Sequence, residues 1–365
     1  MPENISNHLK QFRADMEKFL SEVGDLTSTQ MREKSLDRGY YRLAQPEKYG
    51  GLNASHLQLA IARETVASAG IEKTNDVIGP EPGMLAETTK HIESNYLFPM
   101  LSGAKTGSFA FTESDPSTPT VAQLKGDSLV LNGRKSYVSG ATEADFISVV
   151  LNVVNDSVGP SGPAVVIVDT DYEGVYINEP FYSTDGSSHS EVSFDDVKVD
   201  TSNIIGEIGK GMPRAIDNIV RERIEQAATA TGMAICAVTL VSEHLRLPHR
   251  SGGTLGDMEG VRLRYADMRI QTFACRSTLY RAARLMETGE QSINEASSAK
   301  LFCTESASSV IDTAIQLVGG RALIVGHPLE SLYRRIRSMR LAGGASDILR
   351  LGISRGDLEF NSGIL

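Results

Sequence analysis

The sequence predicts a multidomain α+β chain in which helices both precede and follow a β domain. Two changes of texture carry this reading. Residues 1–106 read as helical, residues 107–205 as short strands separated by turns, and residues 206–365 as long helices packed side by side. Length agrees, because 365 residues allow more than one folding unit with a sizeable core.

In the first region Leu9, Phe12, Met16, Phe19 and Leu20 recur at three- and four-residue intervals, which places them on one helix face. An alanine-rich, helix-prone stretch follows at 54–69, and PEKYGGLN at 46–53 reads as the glycine-rich loop between the two. In the second region residues 128–131, 146–154 and 164–169 are short β-branched runs. Turn signals at Leu131-Asn132-Gly133 and at 159–162 separate them, and EVSFDDVKV at 191–199 alternates as a further strand. Many short strands with polar turns predict a closed or two-layer β domain. In the third region the stretches 213–247, 261–288 and 294–318 are rich in Ala, Leu, Arg and Glu and exceed ordinary globular helix length, which favours a bundle.

Composition excludes several classes. Apolar residues make up 41% and charged residues 22%, so disorder is not expected. A net charge of −10 argues against general nucleic-acid binding. The seven histidines are scattered and suggest no metal site. Cys236, Cys275 and Cys303 are too few and too widely spaced for a disulfide framework and read as buried apolar side chains, as in a reducing cytoplasm. The N-terminal stretch lacks the basic-then-apolar order of a secretion signal, and no run reaches the ~18 apolar residues of a membrane span. Neither a G-x-G-x-x-G after a strand nor a P-loop is present, and Gly319-Gly320 and Gly343-Gly344 follow helix-like stretches, where they read as helix ends.

Six segments, in order along the chain, resemble the acyl-CoA dehydrogenase family. They are the loop PEKYGG at 46–51, FAFTES at 109–114, LNGRKSYVS at 131–139 with Ala144-Asp145, the stretch 186–199 ending in FDDVKV, IQLVGG at 315–320, and SDILR at 346–350. The resemblance covers nearly the whole chain. It implies an N-terminal helical domain, a central β-barrel-like domain, a C-terminal four-helix bundle, bound FAD and a homodimer or homotetramer. Matched to the family's motifs, Phe111 and Thr112 line the flavin's pyrimidine edge. Tyr137, Val138 and Ser139 lie against the ring, with Tyr137 where the family commonly has Trp. Thr118 stands for a phosphate-side serine. Gln316, Gly319 and Gly320, with Arg250 (Arg246 the alternative), serve the diphosphate and adenosine of a neighbouring subunit's cofactor.

The chemistry so implied removes a proton α to a thioester and a hydride from the β carbon, and it needs a desolvated carboxylate as base. Many members carry that glutamate at the position occupied here by Gly343, which cannot accept a proton. The base lies elsewhere, the chemistry has been lost, or a substitution stands at 343. The stretch 218–232 supports the first: it resembles members of the isovaleryl- and long-chain-type, whose base precedes an arginine. By that match Glu222 is the base, Arg223 a substrate-side residue, Glu225 the reserve candidate, and a small residue at 343 makes room for the Glu222 carboxylate. Gly343 still offers a backbone N–H to the thioester oxygen. Without the resemblance Glu222 would read as a solvated or ion-paired helix glutamate among Arg221, Arg223 and Glu225.

The expected function is therefore FAD-dependent α,β-dehydrogenation of an acyl-CoA or acyl-carrier-protein thioester in the cytoplasm, with an electron-transfer flavoprotein as acceptor. The alternatives are a flavin oxidase or monooxygenase on the same fold and an inactive family member acting as a binding protein.

Overall fold

The computed structural model describes residues 4–24, 26–155, 159–250, 252–288 and 292–363. Helices α1 (Asn7–Val23), α2 (Ser28–Arg38) and α3 (His56–Ser68) come first. Then α4 (Lys90–Ile92) runs through a π turn into α5 (Phe98–Ser102). Strands β1 (Gly107–Ala110), β2 (Val121–Lys125), β3 (Ser128–Ser139), β4 (Phe146–Val154), β5 (Gly162–Asp169), β6 (Val175–Ile177), β7 (Phe181–Tyr182) and β8 (Ser188–Asp200) follow. Helices α6 (Gly211–His244), α7 (Glu259–Glu287), α8 (Ile293–Val318), α9 (Pro328–Met339) and α10 (Ser346–Phe360) end the chain. Two compact units result, one of residues 1–79 with 220–365 and one of residues 80–219.

In the first unit, α1 starts where the Ser6 hydroxyl accepts from the Leu9 N–H, and Met16, Phe19, Leu20 and Val23 form its buried face. Helix α2 starts with a capping box between Thr27 and Gln30. Helix α3 is buried along most of its length and carries two charged residues inward, Arg63 and Glu64. Glu64 is 1% exposed and accepts from Arg276 Nη2 at 2.8 Å, Arg276 Nε at 3.1 Å and the Tyr280 hydroxyl at 3.2 Å. A buried carboxylate persists only with such partners. Gly232 lets α6 approach α3 closely: a Cβ there would lie 2.3 Å from the Glu64 carbonyl oxygen. Helix α6 alone among the described helices has the length and hydropathy of a membrane crossing, yet 67% of its apolar window is buried inside the protein.

In the second unit the eight strands among the described residues share one sheet, ordered β1-β4-β2-β3-β8-β6, with β5 on β4 and β7 on β8. Its core gathers Leu129, Leu131, Val149, Val166 and Val197. The Asn132-Gly133 pair is not the expected turn. β3 runs straight through it, with a register shift against β8. The irregularity is a bulge at Asp196 (φ 48°), whose N–H donates to Asn132 Oδ1 at 3.0 Å while Asn132 Nδ2 donates to Asp196 Oδ1 at 2.9 Å. An Asn side chain that satisfies a bulge has the same sequence signature as one that starts a hairpin.

Candidate active site

Two clusters carry the expected site residues, one in each unit. In the sheet unit, β1 leaves the edge of β4 at Ala110, opposite Val149, and β2 rejoins it at Val121, opposite Asn152. Residues 111–120 are the excursion between, and a lysine that motif matching did not single out holds them. The Lys135 side chain is 1% exposed; its Nζ donates to Glu113 Oε1 at 2.5 Å and to the Phe111 carbonyl at 3.2 Å. Glu113 Oε2 accepts from the Thr120 N–H and hydroxyl at 3.1 and 2.8 Å. Burial pushes the Lys135 pKa down, and Glu113 works against that shift. The Ser136 N–H donates to the Thr112 carbonyl at 2.9 Å, so Thr112 lies alongside the strand that bears Tyr137. Phe111 is exposed. Thr118 is exposed too, in a turn closed by its own N–H on the Asp115 carbonyl, and two bonds from Ser117 hold the Asp115 carboxyl below the usual range.

Tyr137 has a left-handed backbone (φ 55°) at a second register shift of β3. The residue is 65% exposed, and its ring meets Phe181 edge-on, with centroids 5.3 Å apart. The Ser139 hydroxyl lies 3.0 Å from His189 Nδ1, whose Nε2 is 3.2 Å from the Ser187 hydroxyl. Val138 departs from expectation. Its side chain is fully buried in the sheet core, because neighbouring strand residues face opposite ways, so only its backbone is available on the face that carries Tyr137 and Ser139. His189 has no counterpart in the motifs used above; its placement opposite Ser139 follows from the β3–β8 register.

In the helical unit, Glu222 and Arg223 lie on α6. Burial raises the Glu222 pKa, while a hydrogen bond from Gln226 and the charges of Arg223 and Lys300 oppose the rise. Gln226 Nε2 donates to Glu222 Oε1 at 2.9 Å. Arg223 turns inward to protein partners, Nε to the Gly343 carbonyl at 3.1 Å and Nη1 to the Ser297 hydroxyl at 3.0 Å. Lys300 is fully buried and donates to the next carbonyl, Gly344, at 2.8 Å. Both cations thus grip the turn between α9 and α10. The space left by the missing side chain at 343 is taken by the Gln226 amide rather than by the Glu222 carboxylate: a Cβ at Gly343 would lie 2.7 Å from Gln226 Nε2. Glu225 is paired with Arg63 at 2.8 Å, which ties up the reserve carboxylate.

Gln316 is exposed near the end of α8, and Gly319 caps that helix. Gly320 opens the short turn after it. Arg250 is exposed in a tight loop where the His249 N–H meets the Gly253 carbonyl at 2.9 Å, and Arg246 is exposed just before it. The three cysteines are buried free thiols, and the described residues contain no His/Cys/Asp/Glu group suited to a metal. Two misses left a trace in the sequence. Gln226 is four residues after Glu222, the spacing of facing helix side chains. Lys300 shares a periodic face with Ala296, Ala299, Cys303 and Ala307, all buried.

This chain belongs to the acyl-CoA dehydrogenase family. Residues 108–197 match the family's middle domain and residues 209–358 its C-terminal domain. It is 31% identical to the 3-(aryl)acrylate reductase of Clostridium sporogenes over 88% of each chain. It is 29% identical, again over 88% of each, to the caffeyl-CoA reductase–Etf complex subunit CarC of Acetobacterium woodii. In fold it is similar to the acyl-CoA dehydrogenase of Geobacillus kaustophilus, with a TM-score of 0.82 at 23% identity, covering 96% of this chain and 98% of that one. The architecture is that family's: N-terminal helices, a curled β half-barrel and a C-terminal helical domain. The family's members are FAD-dependent oxidoreductases.

Proposed function

We propose that this chain is an FAD-dependent acyl-thioester dehydrogenase in which Glu222 exchanges the proton at the α carbon. The observation that carries the reading is a desolvated carboxylate, oriented by Gln226, beside a turn where the base position used by many family members is a glycine. Desolvation makes a carboxylate a stronger base, as abstraction of a weakly acidic C–H requires. The Gly343 N–H makes no hydrogen bond among the described residues and is free to donate to the thioester oxygen, where negative charge develops.

The residues of the sheet unit suit FAD. Tyr137 and Phe181 are exposed aromatics with the Ser139 hydroxyl nearby, an uncovered apolar surface of the kind that awaits a planar partner. Tyr137, Ser139, Phe111 and Thr112 would hold the ring, and Thr118, Arg250, Gln316, Gly319 and Gly320 the phosphate and adenosine portions. Bound FAD supplies the two-electron acceptor for the β hydrogen. The thioester is carried by coenzyme A or a carrier protein, the electron partner is an electron-transfer flavoprotein, as the name of the Acetobacterium relative suggests, and the active form is a homodimer or homotetramer.

A second reading reverses the direction. Both curated relatives named above are reductases, and the same carboxylate would then deliver a proton to the α carbon of an unsaturated thioester. Anaerobic titration of the purified holoenzyme with saturated acyl-CoA and acyl-carrier-protein thioesters should bleach the flavin band. With the flavin reduced beforehand, unsaturated thioesters should restore it, and the faster process gives the direction. Glu222→Gln should retain FAD and lose roughly 10²–10⁴-fold in either rate. A variant that keeps near-normal rates removes Glu222 as the base.

A further inference from the structure

Building on the assignment of Glu222 as base, we propose that Gln226 and Gly343 form one positioning device: the empty space at 343 admits the Gln226 amide, and the amide fixes the direction of the Glu222 carboxylate. Three observations carry this. First, Gln226 lies one helical turn after Glu222 and donates to it at 2.9 Å. Second, a Cβ at 343 would meet Gln226 Nε2 at 2.7 Å and Oε1 at 2.8 Å, below any ordinary contact distance, so the amide and a side chain at 343 exclude each other. Third, the turn cannot readily give way. Arg223 Nε holds the Gly343 carbonyl and Lys300 Nζ the Gly344 carbonyl. Gln226 is therefore the part that must move if the space is filled.

The remaining amide atom fits the same role. Gln226 Oε1 is buried without a hydrogen-bond partner among the described residues. An ionised carboxylate only accepts, so the amide must present its N–H groups to Glu222 before proton transfer. After transfer Glu222 carries a proton to donate, and a half-turn of the amide about its last bond brings Oε1 round to accept it. Both protonation states of the base are then hydrogen-bonded by one side chain. The charged groups that act on Glu222 are Arg223 and Lys300, and both hold backbone carbonyls of the turn.

The test compares Gln226→Ala, Gly343→Ala and the double variant in the FAD-loaded protein. With butyryl-CoA and an artificial electron acceptor, Gln226→Ala should lower kcat by about tenfold to a hundredfold, as a misplaced catalytic group does. KM should stay within about twofold, because substrate binding is not the function removed. Gly343→Ala should do the same by pushing the amide aside. In the Gln226→Ala background, Gly343→Ala should cost little further in kcat, since no amide is left to displace, while the backbone strain of a side chain at φ 64° lowers stability alike in both backgrounds. A second readout needs no substrate. The stability difference between each protein and its Glu222→Gln counterpart, followed against pH, reports the titration of Glu222, and Gln226→Ala should shift that titration upward. Multiplying losses in the double variant, or an unmoved titration, overturn the inference. If Glu222→Gln abolishes turnover while Gln226→Ala and Gly343→Ala leave kcat unchanged, the base stands and the device falls. If Glu222→Gln turns over normally, both fall.

Discussion

Lys300 places a full ammonium where the surrounding helices otherwise bury alanines and a cysteine. Burial and the Arg223 charge push its pKa down to about 8, while Glu222 and Glu305 pull the other way. The unfolded chain holds the proton up to the ordinary value of 10.5. Between those values the unfolded state binds more protons than the folded one, so on this residue's account stability rises with pH through that window. Below about pH 8 the full cost of the buried charge is present. Lys300→Met should remove that dependence. Its stability relative to the parent, measured by urea unfolding at pH 7 and again at pH 10, should change in the parent's favour by on the order of 2–3 kcal/mol. The lost bond to the Gly344 carbonyl, about 1 kcal/mol, offsets the gap equally at both ends. A gap that stays flat with pH would mean that Lys300 does not titrate in this range. The sequence holds the trace of this residue only as a lysine at a core position. Charge suggests the surface, period suggests the core, and only packing decides. Glu222 was singled out as a candidate through its neighbour Arg223 and the glycine at 343, whereas the occupant of the space at 343 was not legible, because a pairing across more than a hundred residues leaves no local pattern.

At the scale of elements, the excursion 111–120 owes its shape to an interior ion pair as well as to its own Asp115–Thr118 turn. Lys135 is almost wholly enclosed and Glu113 is 22% exposed. The cost of breaking them therefore falls between the ~1 kcal/mol of an exposed pair and the ~3–5 kcal/mol of a fully buried one. Lys135→Met should lower the unfolding midpoint accordingly and weaken FAD retention by about tenfold or more, since each 1.4 kcal/mol of lost preorganisation is a factor of ten. Gel filtration of the loaded protein with flavin fluorescence in the eluate measures this. Unchanged retention would mean that the excursion does not hold the cofactor. The helices were readable from their period of three and four, because each keeps one face buried over several turns. The strands were read too short wherever a bulge breaks alternation: β3 continues to Ser139 across two register shifts. Strands β6 and β7 have few buried side chains and so offered no alternation to read.

For the whole molecule, the order helix, sheet, helix followed from texture alone, but which helices pack together did not. Residues up to 79 join residues 220–365 in one unit, through contacts such as Glu64 with Arg276. One surface of that unit exposes a run of apolar residues. Three residues beyond Gly320 begin Leu323, Ile324 and Val325, exposed by 63%, 63% and 84%. Consecutive apolar residues left this open mark a surface that something covers. In the reading proposed above, the Gln316–Gly320 segment near them serves a neighbouring subunit's cofactor, so the covering partner expected here is a second copy of the chain. Two consequences can be separated. Light scattering on the loaded protein should give a mass of two or four chains. Ile324→Asp with Val325→Asp should shift it toward one chain, because burying two carboxylates in an apolar contact costs several kcal/mol. If the copies share the cofactor site, flavin should leave the protein in parallel with dissociation, and Gln316→Ala should loosen flavin without changing the mass. A parent protein that is monomeric and still holds its flavin would show that each chain completes its own site, and the roles given to Gln316, Gly319 and Gly320 would have to be reassigned.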